Sequence, residues 1–384
     1  MSTTKEAAQR AVDAAADDLI SLSHRIHAHP ELCFEEERSS AWAAEVLSTG
    51  GFAIEAGIAD LPTAFVGSVG SGPLVIGICA EYDALPGVGH ACGHNVIAAA
   101  AVGAGLALAP LADDLGATIK VFGTPAEEGG GGKILMLDRG AFAGVHMAMM
   151  VHPAPTEMDH FPCLAVAHVD VEYTGKAAHA SAFPELGINA ADALTVAQTS
   201  IGLLRQHIRS TDRVHGIVTY GGDAPNVVPE RTRGKWYVRS ASLAELADLE
   251  PKVHRCFEAG ALATGCSVEI SQASPRYSEM VADVELSSLY RANAEELGRE
   301  FPVISKDNTV VGSTDMANVS LAIPTIHPML GLGCYPVSNH QPEFAAFCVT
   351  PTADKAALDG AAAMAWTAID ASTTPTVRDR LLTT

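Results

Sequence analysis

Positively charged residues are scarce in this 384-residue chain. Lys and Arg number 24 against 45 Asp and Glu, so the formal net charge is −21 at pH 7. A surface this acidic repels the phosphates of nucleic acids and the head groups of anionic lipids. We therefore expect neither a nucleic acid nor a membrane as a partner.

The sequence also lacks the marks of export, membrane insertion and disulfide scaffolding. Residues 1–26 carry acidic side chains where a signal peptide needs an apolar stretch. The longest apolar run, 96–112, contains Pro110 and is shorter than the roughly 20 residues of a membrane span. The eight cysteines are scattered rather than densely patterned. We expect a cytoplasmic protein whose cysteines are mostly buried as small apolar residues.

Charged residues make up only 18% of the chain and hydrophobic residues 48%. This composition is far from that of disordered chains, so the chain can bury a large core. Its length exceeds what one compact core usually holds, which predicts two folding units.

Alternating strand and helix patterns predict an α/β fold. Helical spacing runs over 11–47 and is interrupted at His29-Pro30, because the residue before a proline is disfavoured in a helix. An apolar helix is predicted over 96–108. Strands are predicted at 63–67, 74–79, 118–122 and 145–151. We expect a catalytic domain with a mixed sheet covered by helices.

The region 168–272 predicts a different layout. Its strand and helix patterns follow in the order β-α-β-β-α-β, that of a ferredoxin-like fold, and about 105 residues is a usual size for a domain. We expect an inserted domain over 168–283, and a catalytic domain made of 1–167 and 284–384.

Candidate functional residues follow the predicted strand ends, where open α/β sheets place their sites. Cys92 and His94 follow one strand, Glu127 and Glu128 the next, and His152 a third. Taken singly, each has a simpler interpretation as a buried cysteine, a surface histidine or a solvated acidic loop. Together they form a sulfur, nitrogen and oxygen donor set with a spare carboxylate, which predicts a metal site.

Other interpretations of these motifs fit less well. Glu127 and Ile134 stand where a phosphate-binding loop needs Gly and Ser or Thr, and Cys92 stands at the third Gly of a dinucleotide fingerprint. A cysteine hydrolase using Cys92 with His94 leaves the paired glutamates unexplained. Asp315 could contact substrate, but a helix cap with Ser313 or Thr314 is the preferred interpretation.

In this arrangement the chain resembles a known family, the two-metal aminoacylase and carboxypeptidase-type metallopeptidases, in particular their amidohydrolase branch. That branch includes indoleacetyl-amino-acid hydrolases, p-aminobenzoyl-glutamate hydrolases and related dipeptidases. The matching motifs run in family order over nearly the whole chain: residues 27–32, 83–86, 90–94, 124–128, 175–180, 226–229 and 339–340.

The resemblance implies a role for each matched residue. Cys92 would bridge two divalent ions. Zinc and manganese are the preferred ions, with cobalt and nickel as alternatives. His94 and His152 would complete one site, and Glu128 and His340 the other. Glu127 would be the general base.

It also implies that the inserted domain forms a homodimer and brings His179, and with it Asn226, to an active site. The expected activity is hydrolysis of the amide bond of N-acyl or aminoacyl amino acids and small dipeptides. The alternative is a catalytically silent metal-binding scaffold on the same fold.

Overall fold

The computed structural model describes residues 2–302 and 312–383. The chain divides into two compact units. One comprises Met1–Pro162 with Met280–Thr384, and the other is Cys163–Glu279.

The first unit is built on a six-stranded mixed sheet. Its strands are β1 (Ala53–Ala56), β2 (Phe65–Val69), β3 (Leu74–Ala80), β4 (Ala117–Gly123), β5 (Met147–Met149) and β11 (Thr325–Ile326), in the order β1-β2-β4-β3-β5-β11. Strands β4, β3, β5 and β11 run parallel to one another, whereas β2 pairs antiparallel with both β4 and β1. A separate parallel pair joins β6 (His152–Ala154) to β12 (Met329–Gly331).

Helices surround this sheet. They are α1 (Thr3–Ala14), α2 (Ala16–Ala28), α3 (Glu37–Thr49), α4 (His94–Leu108), α5 (Gly132–Asp138), α8 (Val284–Glu296), α9 (Met316–Ser320), α10 (Pro342–Phe347), α11 (Pro351–Thr373) and α12 (Pro375–Leu382). The predicted mixed sheet covered by helices is confirmed.

The apolar run of β3 is covered on both faces. Ile78 belongs to a buried cluster with Val102 of α4 and Trp366 of α11, while Cys79 belongs to a second cluster with Phe122 and Met136. This double coverage explains why β3 is continuously apolar instead of alternating.

Helix α4 is buried over nearly its whole length. The segment His94–Leu111 is long and apolar enough to cross a membrane by length and composition, but 78% of it is buried inside the protein. Burial on all sides accounts for an apolar surface all round the helix.

The second unit is a four-stranded antiparallel sheet backed by two helices. Its elements follow as β7 (Ala165–Thr174), α6 (Ala190–Leu204), β8 (Arg213–Tyr220), β9 (Arg231–Ser240), α7 (Leu243–Thr264) and β10 (Ser267–Gln272). The strand order is β10-β7-β9-β8. Val169, Val171 and Tyr173 alternate along β7 into the core with Phe257 of α7.

The structure differs from the sequence prediction near the N-terminus. The first helical segment is divided at Ala15, whose φ of −94° and ψ of 0° end α1 before α2 begins. Strand β1 was not predicted, because its residues are mostly exposed and carry no apolar pattern. All eight cysteines are free and six are buried, as expected.

Candidate metal centre

The candidate residues meet where three neighbouring parallel strands end. Ala80 of β3 lies opposite Gly123 of β4, and Ile78 lies opposite Met149 of β5. Chain segments that leave these strands carry the conspicuous polar residues: Glu81, Asp83, Glu127, Glu128 and His152. The shared edge therefore brings distant parts of the sequence to one place.

Cys92, His94 and His152 form a first group of possible ligands. One donor atom from each lies within 4.8 Å of the others. Cys92 Sγ is 3.4 Å from Nε2 of His152. Gly93, between Cys92 and His94, has a φ of +80° that suits glycine and starts helix α4.

Cys92, Glu128 and His340 form a second group, again within 4.8 Å. Nε2 of His340 lies 3.6 Å from Cys92 Sγ and 3.7 Å from Oε1 of Glu128. The His340 backbone has a φ of +70°, and its N–H donates to the carbonyl of Ala91 at 2.8 Å. A strained residue tied to the Cys92 segment is the kind of backbone outlier found at functional sites.

Asp83 orients members of both groups. Its Oδ1 lies 3.0 Å from Nδ1 of His94, and its Oδ2 accepts from the backbone N–H of Glu128 at 3.0 Å. Burial would raise the pKa of Asp83, but the His94 ring and these hydrogen bonds lower it to about 2. The carboxylate therefore stays charged and leaves Nε2 of His94 to face the ligand groups.

Glu127 is buried beside these groups, with 7% of its surface exposed. One of its oxygens lies within 4.8 Å of donor atoms of His94 and Glu128, and it forms a similar group with Glu81 and Asp315. Burial raises the pKa of Glu127 well above its ordinary value, and the neighbouring carboxylates add to this effect. A carboxyl group with a raised pKa can accept and release a proton near neutral pH.

Asp315 is not the helix cap that the sequence suggested. It occupies the N-cap position of α9, but its side chain makes no capping bond. Instead, its carboxylate accepts from Nζ of Lys133 at 2.7 Å and from the Lys133 backbone N–H at 2.8 Å. The hydroxyl of Thr314 accepts from the Met316 N–H at 3.2 Å, so the capping interpretation holds for Thr314 and is wrong for Asp315, whose carboxylate binds the buried ammonium group.

Lys133 and Glu81 are site residues that sequence reasoning did not assign. Both are fully buried, and Lys133 Nζ donates to Oε1 of Glu81 at 2.5 Å. Lys133 follows a run of glycines, in a segment that matches a phosphate-binding loop only in part. Glu81 directly follows a strand end. The strand-end position was the one sequence signal that could have identified Glu81.

His179 and Asn226 lie in the second unit, whereas every proposed metal ligand lies in the first. Both side chains are exposed. Nδ1 of His179 accepts from the backbone N–H of Ala182 at 3.2 Å, and the Asn226 carbonyl accepts from the N–H of Ala180 at 3.0 Å. The two motifs are therefore neighbours, although 47 positions separate these residues.

The cysteine-hydrolase interpretation is disfavoured by the environment of Cys92. Burial raises the pKa of this thiol well above its ordinary value, and the charge of Glu128 raises it further. A nucleophilic cysteine needs the opposite shift.

The donor set fits metal ions. Nε2 of His94 lies 3.5 Å from Oε2 of Glu81 and 3.9 Å from Oε1 of Glu128, and each of these buried atoms lacks a hydrogen-bond partner among the described residues. Buried polar atoms are rarely left without one, and bound cations would satisfy them. Sulfur, imidazole and carboxylate donors together suit zinc and similar borderline ions.

A mixed α/β sheet with such donors at its strand ends and a buried glutamate beside them defines a class, the metal-dependent hydrolases. Residues 77–358 match the model of peptidase family M20/M25/M40. The chain belongs to this family.

Similar proteins agree with this assignment. The chain is 38% identical over 384 residues to the Xaa-Arg dipeptidase of Mus musculus, covering 95% of this chain and 88% of that protein. It is 33% identical to a polypeptide of the p-aminobenzoyl-glutamate hydrolase of Escherichia coli, over 67% of this chain and 58% of that polypeptide. The YXEP protein of Bacillus subtilis, a dinuclear metal-binding peptidase, shares the fold with a TM-score of 0.62 and 21% identity, covering 91% and 98% of the two chains.

Proposed function

We propose that this protein hydrolyses the amide bond of N-acyl or aminoacyl amino acids and small dipeptides, with Glu127 as the general base. The observation that carries the proposal is a pair of ligand groups that share Cys92, with the buried Glu127 beside them. The dipeptidase and amide-hydrolase names of the curated relatives support this substrate class.

The proposed centre would hold two divalent ions, zinc or manganese, with cobalt and nickel as alternatives. Cys92 would be shared, His94 and His152 would hold one ion, and Glu128 and His340 would hold the other. When bound, such ions make water acidic enough to attack near neutral pH and polarise the amide carbonyl.

The residues of the chain perform the proton transfers. Glu127 takes a proton from the attacking water and delivers it to the departing nitrogen, so one carboxylate serves first as base and then as acid. Asp83 keeps the His94 ring in one orientation throughout. The products are a carboxylic acid and an amine, which in these substrates is an amino acid.

Metal removal and substrate screening test the proposal. The chelated protein should lose its amidase activity and regain it on reloading, with close to two ions per chain by elemental analysis. Amine release from a panel of acyl-amino acids and dipeptides identifies the substrate. Full activity of the metal-free protein would refute the proposal.

We further propose that Cys163–Glu279 is a ferredoxin-like dimerisation domain. In the dimer, His179 completes the active site of the partner subunit and stabilises the oxyanion. Asn226 contacts the substrate. Support comes from the element order of this unit and from the exposure of both side chains. The buried free cysteines support a cytoplasmic location, and the net charge of −21 supports a protein without nucleic-acid or membrane partners.

Mixed dimers test the exchange of His179. Chains carrying His179→Ala and chains carrying Glu127→Ala are each expected to be inactive alone. Random two-fold assembly after co-expression makes half of the dimers mixed. In each mixed dimer one site has both residues, so about one quarter of all sites should be active. No recovery, with mixed dimers confirmed by mass spectrometry, would contradict the proposal.

A further inference from the structure

Glu81 carries a buried oxygen that the mechanism above does not use. The residue directly follows β3, and its side chain is fully buried. Oε1 accepts from Lys133, but Oε2 has no hydrogen-bond partner among the described residues. Leaving a buried carboxylate oxygen without a hydrogen bond is costly, so this atom calls for a cationic partner.

The unmatched oxygen points to a proposed metal ligand. Oε2 of Glu81 lies 3.5 Å from Nε2 of His94, which is also buried and unmatched among the described residues. Two nitrogen or oxygen ligands of one tetrahedral zinc ion lie about 3.4 Å apart, given zinc–ligand distances of about 2.0–2.1 Å. The separation matches that of two atoms sharing an ion, and it is also within the range of a direct ion pair.

The charges around Glu81 are consistent with a ligand. The buried ammonium group of Lys133 donates to Oε1 of Glu81 at 2.5 Å. An opposite charge this close favours the charged carboxylate, which is the form that binds a cation.

We infer that Oε2 of Glu81 is the fourth protein ligand of the ion held by Cys92, His94 and His152, an inference that rests on the metal centre proposed above. Lys133 is the positioning residue that orients this carboxylate, since its Nζ binds Oε1 of Glu81 and Oδ1 of Asp315. Carboxylate ligands are commonly fixed by such hydrogen bonds from outside the metal.

This assignment makes the two ions unequal. The ion at Cys92, His94, His152 and Glu81 has four protein donors, as in closed structural sites. The ion at Cys92, Glu128 and His340 has three, as in catalytic sites that keep a position for water or substrate. His340, with 59% of its side chain exposed, places this second group on the solvent side.

Zinc titration of the metal-free, full-length chain in competition with a chromophoric chelator tests the inference. The parent should bind two ions. In Glu81→Gln, one ion should bind at least tenfold more weakly while the other keeps its affinity. Lys133→Met should weaken the same ion by about 10- to 100-fold, the usual effect of losing an outer partner of a ligand.

The double variant separates positioning from general damage. If Lys133 acts through Glu81, then Glu81→Gln with Lys133→Met should lose no more affinity than Glu81→Gln alone. Lys133→Met leaves the buried carboxylates of Glu81 and Asp315 without their cation. If this variant does not fold on its own, the double variant is compared directly with Glu81→Gln.

Glu157→Gln is the matched control. Glu157 is also a buried glutamate of the first unit, but it binds Arg299 and belongs to no ligand group among the described residues. This variant should bind both ions as the parent does.

Two results would overturn the inference. The first is Glu81→Gln binding both ions with parental affinity, which would make Glu81 only an ion-pair partner of His94. The second is additive losses in the double variant. A parent chain that binds no zinc would overturn the proposed function itself, and this inference with it, so the two failures are distinguishable.

Discussion

Replacing Glu127 by Gln tests the proposed chemistry most directly, because the amide keeps the size of the side chain but cannot accept the proton. General acid–base catalysis contributes about 10²- to 10⁴-fold to a rate, or about 3–5 kcal/mol at 1.36 kcal/mol per tenfold change. We expect kcat to fall by at least 100-fold. Glu127 has three carboxylates raising its pKa, those of Glu81, Glu128 and Asp315. The neutral amide keeps the shape of the side chain and places no charge among these groups, so the thermal midpoint should not fall.

The adjacent residue provides a matched control for this experiment. Glu128→Gln makes the same chemical change one position along, but removes a proposed ligand instead of the proposed base. Steady-state amide hydrolysis and elemental analysis should therefore separate the two variants: Glu127→Gln should retain two ions, whereas Glu128→Gln should lose one. A Glu127→Gln enzyme within tenfold of the parent would assign the base to another residue.

Two further predictions concern stability. Burial and Arg239 lower the pKa of His168 to about 4, so the folded state resists protonation and loses stability as the pH falls below about 6.5. Between pH 7.5 and 5.5, His168→Gln should reduce the loss in the free energy of unfolding, measured with urea, by about 1 kcal/mol. An unchanged pH dependence would contradict this. Gly93→Ala should lower the free energy of unfolding by about 1–3 kcal/mol, because the φ of Gly93 is +80° and the added Cβ would lie 2.9 Å from Pro153. Gly140→Ala is the control, since Gly140 has a φ of +79° and no atom within 4 Å of an added Cβ. An equal loss in both variants would exclude a packing effect at Gly93.

Elements with a strong apolar pattern were predictable from the sequence. Val169, Val171 and Tyr173 alternate because one face of β7 packs on helices, and the continuous run of β3 reflects its coverage on both faces. Strand β3 was expected at 74–79 and extends over Leu74–Ala80. Strand β1 was missed because an exposed edge strand of four residues carries no such pattern.

The network behind the proposed ligands was not predictable in the same way. Lys133 and Glu81 are separated by 52 positions, and Lys133 and Asp315 by 182. No local periodicity records a pairing over such distances. In the sequence, Asp315 follows Ser313 and Thr314 as a capping residue would, and only the folded chain shows the buried ammonium group that captures its side chain.

The hydrogen bonds sort the acidic residues of the centre into two kinds. Both oxygens of Asp83 are occupied, by His94 and by the Glu128 N–H, and both oxygens of Glu36 are occupied, by the Ala126 N–H and the hydroxyl of Thr63. These two carboxylates hold other groups in place through both of their oxygens. Glu81 and Glu128 each retain a buried oxygen without a hydrogen-bond partner among the described residues. An acidic residue here is suited to bind metal because the protein leaves one of its oxygens unmatched, a property that exists only in the folded chain.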